Sequence, residues 1–137
     1  VQGICRDIDA SGNWTATETL TGTAGGPSGF PYTRRCSTNF ALSGFSGRAG
    51  WYIERLVLEC ARLAPGGTLS ATTARTTLGA IGGTGGTAFS MTSCSTPARA
   101  IVGKSGAFID SIEFACEDDT PLLNASQIDA ALASATD

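Results

Sequence analysis

The chain contains no histidine, and that absence removes much of enzyme chemistry. Neither a Ser-His-Asp nor a Cys-His arrangement can be built without an imidazole. Its five cysteines include no Cys-x-x-Cys pair, so no metal site and no other cofactor is expected. Charge is scarce as well. Only 15% of residues are Asp, Glu, Lys or Arg, the net charge is −3, and the cations are scattered without a basic stripe, which argues against a nucleic-acid partner. No apolar run approaches the roughly 20 residues of a membrane-spanning helix, so membrane insertion is not expected. The opening residues do not read as a signal peptide, and with a first residue of Val1 a processed or trimmed protein is expected. Paired acids among Glu54, Asp110, Asp118 and Asp119 are the one hydrolytic route left open. Glu54 and Asp110 fall at equivalent places in separate units, which should hold them apart, and the chain is not expected to be an enzyme.

What the chain does have is small, polar and repetitive. Its 137 residues suit one domain with a modest core, and 42% are apolar. Eighteen glycines and Thr/Ser tracts such as Gly66 to Thr77 favour short strands and turns over helices. Cysteines without metal spacing favour disulfides in an oxidising compartment. The sequons Asn13-Trp14-Thr15 and Asn124-Ala125-Ser126 are compatible with secretion, and an extracellular location is expected.

One phrase is written twice. Gly47-Arg-Ala-Gly-Trp-Tyr-Ile-Glu-Arg-Leu-Val-Leu-Glu-Cys60 returns as Gly103-Lys-Ser-Gly-Ala-Phe-Ile-Asp-Ser-Ile-Glu-Phe-Ala-Cys116. Each copy runs Gly, cation, small residue, Gly, two variable positions, Ile, carboxylate, then an alternating run to Cys. Upstream, Gly22-Thr-Ala-Gly-Gly-Pro-Ser-Gly29 matches Gly79-Ala-Ile-Gly-Gly-Thr-Gly-Gly86, Tyr32 matches Phe89, and Cys36 lies close to the position of Cys94. The domain therefore divides into a partial unit 1–21, units 22–78 and 79–116, and a tail 117–137.

Within a unit the pattern predicts an extended segment leading to Cys36, a second near Phe40–Phe45, a third over Tyr52–Cys60, and a Thr-rich fourth near Thr68–Arg75. Leu56, Leu58 and Cys60 share one face of the third strand, and Arg55 and Glu59 share the other. Cys5 matches Cys60 and Trp14–Leu20 stands where the Thr-rich strand would, giving roughly nine strands in an all-β antiparallel meander. A short C-terminal helix or loose end is expected around Ser126–Ala135, where Ser126 is a candidate N-cap. In a meander, Cys36 and Cys60 finish at one end of a sheet, as do Cys94 and Cys116. The bridges Cys36–Cys60 and Cys94–Cys116 follow, with Cys5 unpaired. The rival scheme Cys5–Cys36 with Cys60–Cys94 stays open, because sequence does not decide connectivity.

Gly79–Met91, then Ala100-Ile-Val-Gly103, then Lys104-Ser-Gly-Ala-Phe-Ile-Asp-Ser-Ile112 resembles the closing hairpin of jacalin-like lectins; Gly22 to Cys60 resembles it more loosely. The resemblance implies a β-prism, three antiparallel four-stranded sheets (Greek-key or meander) around a pseudo-threefold axis. It also implies metal-free sugar binding at a Gly-x-x-x-Asp turn. Carried over, the carbohydrate-binding positions are Gly106, Ala107, Phe108, Ile109 and Asp110, with Gly50, Trp51, Tyr52, Ile53 and Glu54 in the first copy. The partner would be a mono- or oligosaccharide or a glycoconjugate, with homo-oligomerisation left open. Glu54 stands where the family prefers Asp, and Ala107 where an aromatic residue often sits.

The chemistry of those positions stands on its own terms. A carboxylate accepts hydrogen bonds from two vicinal hydroxyls, turn N–H groups donate to sugar oxygens, and an aromatic ring covers the apolar face of a pyranose. The plainer reading has Asp110 and Glu54 capping nearby N–H groups, Trp51 and Tyr52 packing at a sheet edge, and Arg48 and Lys104 solvated. The alternative function is a structural or adhesion module that keeps the fold without the sugar site. Ala98-Arg-Ala-Ile-Val-Gly-Lys-Ser105 fits a relaxed phosphate-loop pattern, but Ile101-Val102 reads as strand and no helix is expected after it.

Overall fold

The computed structural model describes residues 1–116. In chain order the strands are β1 (Gln2–Ile8), β2 (Trp14–Thr23), β3 (Phe40–Ala49), β4 (Ile53–Ala64), β5 (Thr68–Leu69), β6 (Thr76–Thr77), β7 (Ile81–Gly82), β8 (Thr87–Ser93), β9 (Ala98–Ser105) and β10 (Ile109–Cys116). The chain is all-β, as expected, with antiparallel pairing throughout. The tail expected to form a helix or loose end lies outside the described residues.

Three sheets result among the described residues. β1 and β2 form one hairpin, β9 and β10 another, and the third sheet runs β5-β4-β3-β8, with β6 and β7 beside β5 along the outer edge of β4. This large sheet is not a simple meander. β8 returns across it to pair with β3 and β7 pairs with β4, so the opening strands of the second repeat unit complete the sheet of the first.

Two sequence expectations are corrected here. The segment leading to Cys36 is not a strand: Pro31 supplies no N–H to a ladder, and the chain from Ala24 to Ser37 joins no sheet. The Thr-rich strand expected near Thr68–Arg75 is reduced to the two-residue β5 at its start, with β6 pairing with β4 just past its end. The reason is local: Ser70 Oγ accepts from the N–H groups of Thr72 and Thr73, at 3.3 Å each, which turns the chain away from β4.

The core sits between the large sheet and the β9–β10 hairpin. Phe45, Ile112 and Phe114 form its centre, with Leu56, Leu58 and Phe89 packed around them. Phe45 meets Phe114 at a centroid distance of 4.5 Å and Phe89 edge-on at 5.8 Å. The N-terminal hairpin contributes little to this core; Ile4, Ile8 and Leu20 stay exposed. It is tied on through Trp14, whose backbone N–H donates to Asn39 Oδ1 at 2.8 Å and whose indole N–H donates to the Phe40 carbonyl at 3.0 Å.

Disulfides staple this small core. Cys36 is bonded to Cys60 and Cys94 to Cys116, each with Cα atoms 5.7 Å apart, and Cys5 is a free, exposed thiol. The pairing matches the expected one, but its geometric basis differs for both bridges: Cys36 lies on a segment that joins no sheet and is bonded to β4 from outside it. Cys94 follows β8 in the large sheet while Cys116 ends β10, so that bridge joins two sheets instead of closing one.

Glu59, on the face of β4 that it shares with Arg55, is covered by neighbouring side chains. It is only 9% exposed, and its Oε1 accepts from Ser43 Oγ at 2.8 Å, Ser93 Oγ at 2.9 Å and Arg75 Nη1 at 3.0 Å. Arg75 also donates to the Cys94 carbonyl at 2.8 Å, linking the network to the second disulfide. Burial alone would raise the Glu59 carboxyl; the hydrogen bonds from Ser43, Arg75 and Ser93 and the Arg75 charge outweigh it and hold the group below its ordinary value.

Candidate functional site

Both copies of the repeated phrase build the same turn. The Gly50 N–H donates to the Tyr52 carbonyl at 3.0 Å, and the Gly106 N–H donates to the Phe108 carbonyl at 2.9 Å. Each connection is therefore three residues, Gly50-Trp51-Tyr52 and Gly106-Ala107-Phe108, shorter than the Gly-to-Gly spacing implied. Gly47 and Gly103 lie inside β3 and β9 instead. At both, an added Cβ would collide with a carbonyl oxygen of the partner strand, that of Arg55 or of Ser111, so only glycine allows the hairpin to close so tightly.

Immediately after each turn the ladder slips by one residue. Ala49 faces Ile53 but Arg48 faces Arg55, leaving Glu54 as the extra residue; Ser105 faces Ile109 but Lys104 faces Ser111, leaving Asp110. Both candidate carboxylates are thus carried on β-bulges, a device that re-aims a side chain. The capping role available to them is not taken up, since neither carboxylate accepts a hydrogen bond from a described residue. Asp110 is exposed and Glu54 half-buried. The neighbouring Ile53 and Ile109 pack their side chains against the core, so only their main chain can face a ligand.

The two turns adjoin each other through their aromatic side chains. The rings of Tyr52 and Phe108 stack with centroids 4.7 Å apart and planes inclined by 20°. Trp51 stands beside them, 95% exposed. An aromatic surface from copy one therefore lies next to the turn that carries the Asp of copy two.

The glycine-rich tracts pack against these turns in exchanged fashion. A Cβ on Gly26 would lie 2.7 Å from the Ala107 carbonyl oxygen, and one on Gly25 would lie 3.3 Å from Ile109 Cδ1, so the first tract abuts the second turn. The second tract abuts the first turn: a Cβ on Gly86 would lie 2.7 Å from the Ala49 carbonyl, and one on Gly85 would strike Glu54 Oε2. Arg48 holds that tract in place, donating from Nε to the Gly85 carbonyl at 2.9 Å and from Nη2 to the Gly86 carbonyl at 2.7 Å. Arg48 is thus a structural clamp and not a solvated charge, a role its spacing did not signal. Lys104 remains exposed on β9.

The phosphate-loop pattern is accounted for by strand. Ala98–Ser105 is β9 along its whole length and leads through the turn into β10, so its N–H groups do not converge as a loop before a helix would.

Comparison of the chain with family models, with curated proteins and with solved structures finds no match. The functional reading therefore rests on the site's own chemistry.

Proposed function

We propose that the chain is a secreted carbohydrate-binding domain of jacalin-like, β-prism type, recognising sugar hydroxyls without a metal. The observation that carries this reading is the pair of bulged carboxylates, Asp110 and Glu54, which accept no hydrogen bond among the described residues, beside the Tyr52–Phe108 stack and the open face of Trp51. Vicinal hydroxyls can bond a carboxylate through both oxygens, while a pyranose C–H face covers an aromatic ring. The departures in the two copies compensate each other: the second turn supplies Asp110, and the first supplies the rings that Ala107 lacks. Affinity at one such open site is weak and is raised by multivalency. The two disulfides fit an oxidising, extracellular setting.

A glycan array tests this directly, with wild type beside Asp110→Ala. Saturable binding that falls at least ten-fold in the variant is the expected result. A blank array from a folded protein would favour the second reading, an adhesion or assembly module. That alternative draws on the almost complete exposure of Trp51, an aromatic anchor of the kind found at protein interfaces.

A further inference from the structure

The turn between β1 and β2 has no part in the function proposed above. It carries Asn13-Trp14-Thr15, an acceptor sequence for N-linked glycans. The other such sequence, at Asn124, lies outside the described residues. The turn abuts the far end of β4: the Gly66 N–H donates to the Ala10 carbonyl at 2.8 Å, and a Cβ on Gly12 would strike the Ala64 carbonyl oxygen. β4 runs from Ile53, beside the first aromatic turn, to Ala64, a span of about 35 Å along the extended strand.

Neighbouring groups decide which way the Asn13 amide points. The Trp14 N–H donates to Asn39 Oδ1 at 2.8 Å, which leaves Asn39 its Nδ2 to donate to Asn13 Oδ1 at 3.2 Å. Asn13 therefore uses its oxygen to hold the fold. Its Nδ2, the atom that a glycan takes, donates to no described residue, and the side chain stands at an exposed position. Substitution at that nitrogen removes one N–H and keeps the carbonyl contact.

We propose that Asn13 carries an N-linked glycan, an assignment that rests on the extracellular reading above. A C–N bond forms between Asn13 Nδ2 and the anomeric carbon of an N-acetylglucosamine. The bond from that carbon to the pyrophosphate of a lipid-linked oligosaccharide donor breaks, the lipid pyrophosphate leaves, and the amide gives up one proton. Folding withdraws the rest of the acceptor: Thr15 Oγ1 donates to the Asp7 carbonyl at 3.1 Å, and the Trp14 indole N–H is held by the Phe40 carbonyl. Phe40 lies 26 residues further along the chain, so the acceptor stays open in the nascent chain until that stretch is made. A glycan here covers the β1–β2 turn and leaves the surface of Trp51, Tyr52, Phe108 and Asp110 open at the other end of β4.

The full chain, directed into the secretory route of a eukaryotic cell with Asn124→Gln to silence the second acceptor, tests this. Peptide mass mapping of total protein from cells and medium, before and after peptide N-glycosidase, should place a glycan on the Asn13 peptide in most molecules. Asn13→Gln and, independently, Thr15→Ala should abolish it, whereas Thr15→Ser, which keeps the hydroxyl, should retain it. Reading total protein keeps the result valid for a variant that does not fold. The proposal is overturned by an Asn13 left unmodified in most molecules, or by a glycan on that peptide that survives Thr15→Ala. Sugar binding is read separately on protein made without glycans: a blank array leaves the Asn13 result standing, and an unmodified Asn13 leaves the array result standing.

Discussion

In the first copy of the repeat, β4 is flanked on both sides, by β3 and by β5 to β7, and its buried carboxylate Glu59 meets three donors. In the second copy, β10 pairs only with β9 among the described residues, and its Glu113 buries an oxygen that meets none. The two units share turn, bulge and terminal disulfide, yet their glutamates shift in opposite directions although burial raises both. Donors decide the sign: Ser43, Ser93 and Arg75 reverse the penalty at Glu59, and nothing reverses it at Glu113.

The disulfides offer the largest perturbation of this comparison. Their sequence separations are 24 and 22, so loop-closure entropy assigns each about 3.5 kcal/mol and barely distinguishes them. In a Cys5→Ser background that prevents thiol exchange, urea melts of the two paired Cys→Ala variants should show losses near that size. A markedly larger loss for Cys94 and Cys116 would assign native-state value to joining two sheets.

Next comes the Glu59 network. Glu59→Ala leaves Ser43, Ser93 and Arg75 without their acceptor and should cost about 3 kcal/mol in the same melts. Arg75→Ala should cost less, since that side chain is 34% exposed and its charge is screened.

The pH dependence sharpens the contrast. Glu59 has a folded value below its unfolded one, so its stabilisation is present above the ordinary glutamate range and lost as pH falls through the lowered value. Glu113 is raised, so stability falls as pH climbs from the ordinary range through the raised value. Melts across that window should lose their acid-side slope in Glu59→Gln and their descending slope in Glu113→Gln; unchanged profiles would remove the assigned titrations.

At the turns the expected effects are smaller. Asp110→Ala should weaken sugar binding at least ten-fold, about 1.4 kcal/mol, and Glu54→Ala by less, because Glu54 Oε2 is lodged against Gly85. Equal losses in an array or titration would show the two turns to be interchangeable. Smallest of all, Glu113→Val makes the second copy like the first at Val57 and should stabilise the fold by about 1 kcal/mol in urea.

The strands around the repeated phrase were legible because alternation survives in short segments: Leu56, Leu58 and Cys60, or Ile112, Phe114 and Cys116, mark an inward face on their own. The cysteine pairing was legible too, although β8 crosses to the first unit's sheet and the second bridge spans sheets. The bulges at Glu54 and Asp110 were not legible, because a one-residue slip depends on where the partner strand sits, and Gly47 and Gly103 read as turn glycines when their work is inside the strands. Nor could spacing show that Tyr52 reaches Phe108, or that Glu59 is covered by serines from β3 and β8. Those contacts are set by sheets meeting in space, with no local pattern in the residues that make them.

The exchanged packing of the glycine tracts sets an order of assembly. The first turn and its tract, Ala49 and Gly86, are separated by about 40 residues, whereas the second turn and its tract, Ala107 and Gly26, are separated by about 80, a difference worth about 0.7 kcal/mol in closure entropy. During synthesis from the N-terminus, the first tract has to wait for the final hairpin to emerge. The glycine packing at the Glu54 turn can thus form before the Asp110 turn exists, and the Asp110 turn is the later of the two to be completed.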